Sequence, residues 1–353
     1  MRFLFISILC LILWAGAAFA QPFAYIANEG SNSVSVIDTA TNTVVKTIPV
    51  GMEPTGVAVS PAGNFVYVTN SGSGSVSVIE TATNTEVLPR IAVGTMPEGI
   101  AVTPNRRFVY VANQAADSVS VINTATKTVV KTIPVGEEPT GVAVSPAGNH
   151  VYVTNFLNGI VSVIDTATNM EVDTVTVPGG PVGLAVTPDG RFVYVAVSFI
   201  GTVFVIDTAN NTVVKTIEVE LLPLGIAVNP EGSFVYVTNG TSGTVSVIDT
   251  SSNTVTDTVT VGTIPQGVDV SHDGKFVYVA NQTAGTVSVI DTATNMEVDT
   301  VTVGNSPIAL GKFIQPPPPP INTPTLSEWG LITMAAILGI VGFLVMRRRE
   351  ITA

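Results

Sequence analysis

The chain has 353 residues, 14 basic and 26 acidic, so charged residues make up 11% of the sequence. That is under half the roughly 25% of ordinary soluble domains, while a 46% hydrophobic content is too high for a disordered chain. The net charge of −12 argues against nucleic acid as a partner, because phosphate binding needs clustered Lys and Arg. The single cysteine rules out a disulfide scaffold.

Residues 1–20 read as a secretory signal peptide. Arg2 supplies a short positive start, Phe3 to Trp14 is an apolar run, and Ala18-Phe19-Ala20 is a small-x-small cleavage pattern. The mature chain is then expected to start at Gln21 and to contain no cysteine. Cys10 is a poor lipoprotein cysteine, since Leu9 stands where a small residue is wanted.

The next segment, 21–315, is a repeat. The seven tyrosines are Tyr25, Tyr67, Tyr110, Tyr152, Tyr194, Tyr236 and Tyr278, spaced by 42 residues with one interval of 43. Periods in this range belong to propeller blades and some helical arrays. Inside one unit, Gly56-Val-Ala-Val-Ser60, Phe65-Val-Tyr-Val-Thr-Asn70, Ser75-Val-Ser-Val-Ile79 and Thr85 onward to Val93 are short β-branched runs separated by Pro, Gly, Asn and Ser. They have the two-residue alternation of strands and are too short for helices. The fold class is therefore all-β: a seven-bladed β-propeller of four-stranded antiparallel blades. The first unit lacks its innermost strand, and Pro307-Ile-Ala-Leu-Gly311 is a copy of that strand at the far end. N- and C-terminal strands are expected to share one blade and so close the ring.

Pro316 to Pro320 open a Pro-rich linker over 316–323, an extended spacer. The tail, 324–353, begins Pro324-Thr325-Leu326-Ser-Glu-Trp329-Gly330, continues with an apolar run to Met346 and ends in Arg347, Arg348 and Arg349. From 329 to 346 the run would be about 27 Å long as a helix, enough to span a membrane. Trp329 would sit at one interface and the arginines on the cytoplasmic side.

Two resemblances follow from these residues. Tyr67-Val-Thr-Asn70, Tyr152-Val-Thr-Asn155 and Tyr236-Val-Thr-Asn239 resemble the signature of the YVTN family of β-propeller proteins, which implies a secreted or surface-layer propeller without a single assigned activity. The tail resembles the IPTL-CTERM sorting signal of Gram-negative bacteria, although Thr323 stands where that family usually has Ile. This resemblance implies passage through the inner membrane and processing by an exosortase-like enzyme.

No catalytic, cofactor-binding or metal-ligating constellation emerges, and no cofactor is expected. Asp38, Asp165, Asp207, Asp249 and Asp291 recur before Thr-Ala or Thr-Ser and read as turn residues. Ser271-His272-Asp273 are consecutive, whereas the members of a triad converge from separate segments. Asp269 replaces the alanine of Gly-Val-Ala-Val on an innermost strand and is a possible channel acid. Function is expected where repeats disagree. Two neighbouring loops carry Phe156-Leu157 and Phe199-Ile200 where other units are small and polar, and the following inter-blade loop carries Leu221-Leu222 where other units have Gly-x-x-Pro. Clustered exposed apolar side chains usually mark a binding site, so these six residues form a candidate binding patch for an unknown protein or glycan.

The expected function is a non-enzymatic binding or structural module of the cell envelope, at the periplasm or surface. It would be anchored transiently through the tail helix. The alternatives are a propeller enzyme, either a lactonase-like hydrolase or a quinoprotein-like redox protein, and a self-assembling surface-layer protein. The enzyme reading rests on fold analogy, and the surface-layer reading would show itself by self-assembly in the absence of ligand.

Overall fold

A computed structural model describes residues 22–317. The expected signal peptide, the rest of the linker and the tail helix over 329–346 lie outside the described residues. Among the described residues, no helix is long and apolar enough to cross a membrane. Six four-stranded antiparallel sheets span 54–92, 97–134, 139–176, 181–218, 223–260 and 265–302, and a further sheet begins with three strands over 23–49. The last is blade 1, and the others are blades 2 to 7 in chain order. Strands adjacent in sequence pair within each blade.

Position within the blade accounts for strand composition. Middle strands such as Phe65–Asn70 and Ser75–Glu80 are buried almost throughout, because neighbouring blades cover both faces. They consequently read as runs of Val, Ile and Tyr. The outer strand Thr43–Pro49 buries only Ile48, which leaves room for Thr and for Lys46 on an otherwise open sheet edge. Innermost strands slip register just after their proline, as between Pro54 and Val57, and outer pairs slip again, as between Val36 and Ile37. These bulges add the twist that lets the blades fan around an axis.

The repeated residues build the seams. Tyr25, Tyr110 and Tyr194 donate their hydroxyls to Asn84, Asn169 and Asn253 in the outer turn of the next blade, at 2.7, 2.6 and 2.6 Å. Tyr278 reaches Asn42 at 3.0 Å and completes the circle. These asparagines adopt φ near +50°, a conformation Asn tolerates better than most residues. Nearer the axis, a side chain on Gly99 would lie 2.2 Å from the Thr140 carbonyl, and Gly141, Gly183, Gly225 and Gly267 repeat this contact. The glycine shared by the innermost strands of blades 2 to 7 is there because the next strand passes too close for a Cβ, while the closing strand of blade 1 carries Ala309 in its place.

Closure follows the expected route. Ile308 N–H donates to Ala27 O at 2.9 Å, Tyr25 N–H to Phe313 O at 3.0 Å and Gln315 N–H to Phe23 O at 2.8 Å. The C-terminal segment thus completes blade 1. It is also bound on both flanks: Val57 and Val59 of blade 2 donate to Leu310 and Lys312, and Ile314 N–H donates to Asp269 Oδ2 of blade 7 at 2.9 Å. Phe313 is fully buried beneath it.

Candidate functional site

One face of the ring is made by the loops between blades together with the loops joining second and third strands. The two sets are hydrogen-bonded, as in Ser71 N–H to Glu53 O, Phe156 N–H to Glu138 O and Ser198 N–H to Gly180 O. The aspartates read as turn residues occupy the opposite face and accept bonds from the turn backbone, as Asp38 does from Ala40 at 2.8 Å and Asp207 from Ala209 at 2.9 Å.

All six residues of the candidate patch lie on the first face, and the backbone makes their loops contiguous. A Cβ on Gly159 would touch Pro178, one on Gly180 would meet the rings of Phe156 and Phe199, and one on Gly179 would meet Ile200. Val219 N–H bonds Gly201 O, which joins the Phe199-Ile200 loop to the segment leading into Leu221. The rings of Phe156 and Phe199 meet edge-on with centroids 5.1 Å apart. Phe156 is half-buried by these contacts and Leu222, whose side chain lies against Gly240, is half-buried as well, whereas Phe199 is 70% exposed, Leu221 65% and Leu157 62%. Packing on one another therefore accounts for only part of the patch.

The inter-blade loops contain a second feature that sequence reading missed. The residue before the first proline of each blade is left-handed: Glu53, Met96, Glu138, Leu222, Ile264 and Ser306 have φ of 49–58°, and Gly180 takes the same place. Gly180 shows that glycine serves here. Six side chains are retained at a backbone conformation that costs about 1–2 kcal/mol for a non-glycine residue. The pattern x-Pro at blade starts was visible, but the hand of x was not.

Charge is unevenly distributed between the two faces. The patch face carries Glu53, Glu137, Glu138 and Glu220 between blades, Glu29 and Asp117 in the other loops, and Glu98 near the axis. Lys and Arg among the described residues lie elsewhere: on opposite-face turns (Arg106, Arg107, Lys127, Arg191, Lys275), outer strands (Lys46, Arg90, Lys131, Lys215) or the closing segment (Lys312). Glu98 stands in a polar cluster, hydrogen-bonded by Ser71 Oγ at 3.3 Å. Burial pushes its carboxyl up to about 7, with the Glu29 and Glu53 carboxylates adding to the rise and the Ser71 bond opposing it.

The axis itself is nearly closed. The converging glycines and the side chains of Ile100, Val142, Leu184, Ile226 and Val268 leave about 40 Å³, room for a few waters. Asp269 is buried beside this core and accepts from Ile314 and Val270 N–H, both at 2.9 Å. Desolvation raises its carboxyl to about 6 against these bonds and the nearby Lys312 charge. The structure therefore places Asp269 where it secures the closing strand. The sorting residues Pro324, Thr325, Leu326, Trp329, Gly330 and Arg347 to Arg349 lie outside the described residues.

Residues 16–130 and 225–303, more than half of the chain, match the family model described as lactonase, 7-bladed beta-propeller. The chain belongs to that family. Its atypical loops fall between the two matched stretches, where residues 147–233 match a YNCE-like β-propeller. Residues 324–349 match the IPTL-CTERM motif, so this lactonase-family propeller has a C-terminal sorting motif. Among solved structures, Kuenenia stuttgartiensis hydrazine synthase is similar at TM-score 0.70 and 27% identity, over 76% of this chain and 92% of that one. A functionally unknown protein from Desulfotomaculum acetoxidans is similar at TM-score 0.70 and 18% identity, over 82% and 99%. Dihydro-heme d1 dehydrogenase NirN is similar at 0.63 and 15% identity, over 82% and 74%. A 37-residue stretch is 62% identical to the PE-PGRS family protein PE_PGRS18 of Mycobacterium tuberculosis, covering 10% of this chain and 8% of that protein.

Proposed function

We propose that the protein is exported, sorted to the bacterial envelope through its C-terminal motif, and acts there as a non-enzymatic binding module. The proposed division is a signal peptide over 1–20, the propeller over 21–315, a linker over 316–323 and a sorting segment over 324–353. The IPTL-CTERM match supports the sorting step and an exosortase-type processing enzyme. The binding role rests on one observation: three adjoining loops of one face depart from the repeat together and leave Phe199, Leu221 and Leu157 largely exposed in one patch. Exposed apolar clusters of this kind are costly to keep on a free surface. The test is a Phe199→Asp, Leu221→Asp variant in the native host. It should melt like the wild type but lose retention by its envelope partner; retention at the wild-type level would refute the assignment.

A second reading is supported by Glu98. A carboxyl raised to about 7 beside Ser71 at the axial end of this face is suited to acid–base work, and the family includes lactonases by description. Hydrolysis of a lactone panel by the purified protein, abolished by Glu98→Gln, would establish this reading in place of the first. No hydrolysis across the panel would dismiss it.

A further inference from the structure

We infer that the patch face is built for a basic amphipathic polypeptide, one that presents apolar side chains flanked by Lys or Arg. This inference rests on the binding role proposed above and supplies its chemistry. Phe156 and Leu157 hang from the backbone carbonyls of Glu138 and Glu137, so two carboxylates border the aromatic pair on one side. On the other side Glu220 directly precedes Leu221, and its backbone lies against Gly201, next to Ile200. The result is an apolar centre with an acidic rim on both flanks, the layout of a recognition surface whose core supplies affinity and whose rim selects charge.

Charge also decides among occupants. An anionic lipid surface is repelled by a face that carries seven carboxylates and none of the ten Lys and Arg of the described residues. A second copy is a poor fit from either direction. Face to face, like charges meet. Head to tail, the opposite face offers Arg106, Arg107, Lys127, Arg191 and Lys275 among a larger number of turn carboxylates, and the propeller as a whole carries 24 acidic residues against 10 basic. A foreign cationic partner is the occupant that gains from the field.

The left-handed residues agree with this. Glu138 and Leu222 keep side chains at φ of 51° and 58° although Gly180 shows that the same turn accepts glycine. One contributes a rim carboxylate and the other an apolar group. Glu138 borders the patch and Leu222 belongs to it.

The experiment measures binding of the full-length chain to three labelled synthetic peptides by fluorescence anisotropy at low and moderate salt. The first is an amphipathic Leu/Phe/Lys peptide, the second its Glu-for-Lys twin, and the third a Lys/Ser peptide of equal charge. The Leu/Phe/Lys peptide should bind at least tenfold tighter than either of the others and weaken with salt. F199S with L221S should cost it about tenfold, and E137Q with E138Q should narrow its lead over the Glu twin. Equal binding of the Glu twin would overturn the charge inference while leaving the patch reading intact. Equal binding of the Lys/Ser peptide would overturn the amphipathic requirement. Wild-type affinity in a well-folded F199S/L221S variant would overturn the patch reading itself.

Discussion

Asp269 gives the sharpest test of how the ring is closed. Its carboxyl rises from 3.8 to about 6 because it is buried against the closing strand. The folded state therefore holds this proton between roughly pH 4 and 6, where the unfolded chain has released it. The resulting stability is fully present below pH 4 and is lost as pH rises through 6. The rise is worth about 3 kcal/mol, so the ionised group burdens the neutral-pH fold by that order. Asp269→Asn keeps an oxygen to accept from Ile314 N–H, now 2.9 Å from Oδ2, and removes the charge, but it turns its NH2 toward Val270 N–H, which Oδ1 accepts at 2.9 Å, at a cost of about 1–3 kcal/mol. Relative to wild type it should gain about 3 kcal/mol between pH 4 and pH 7.5, starting from a deficit of about 1–3 kcal/mol at pH 4. Asp269→Ala, which restores the residue of Ala58 and Ala227, orphans that N–H and should cost about 1–3 kcal/mol relative to Asn. The assay is urea unfolding of all three proteins from pH 4 to 8, read as differences so that other titrating groups such as Glu98 cancel. A wild-type minus Asn difference that stays flat with pH would refute the reasoning.

Tyr110→Phe removes the bond to Asn169 across the blade 3–blade 4 seam and should cost about 1 kcal/mol in denaturant unfolding. Tyr67→Phe should cost less, because Lys127 stands where the other seams have an asparagine. Gly99→Ala places a methyl 2.2 Å from the Thr140 carbonyl and should leave little folded protein. By contrast, a methyl on Gly243→Ala meets only the Gly262 carbonyl, at an ordinary contact distance of 3.6 Å, and a left-handed backbone, so circular dichroism should show it folded with a loss of about 1–2 kcal/mol. Leu222→Gly relieves a left-handed residue at φ 58°. It should raise the unfolding free energy by up to about 1 kcal/mol while weakening binding to the patch face, and a lowered unfolding free energy would contradict the strain argument.

Much of this protein is legible in one dimension because its fold is a repeated local pattern. Seven tyrosines at a near-constant interval counted the blades, two-residue alternation defined the strands, and Pro307 to Gly311 announced the closing strand. Aspartates before Thr-Ala read correctly as turn residues, since an Asx turn is a local bond. The departures at Phe156, Phe199 and Leu221 were equally visible as breaks in the repeat. Contacts across the ring were not. That the Asn after Tyr-Val-x is buried against the glycine opening its blade in five blades, as Asn113 is against Gly94, whose N–H it accepts at 3.0 Å, joins residues distant in sequence through tertiary packing and hydrogen bonding. Blade 5 makes the pairing plain: Val197 replaces the asparagine and Pro178 the glycine.

The sequence by itself determined the blade count, the strand order, the route of closure and the loops that depart from the pattern. Each follows from spacing and local backbone chemistry. Only the tertiary structure decided that those loops adjoin, that Asp269 grips the closing strand beside the axis, and that one face holds carboxylates without cations. Proximity between blades and the desolvation of a side chain depend on all seven blades meeting around one axis, and no single repeat encodes that.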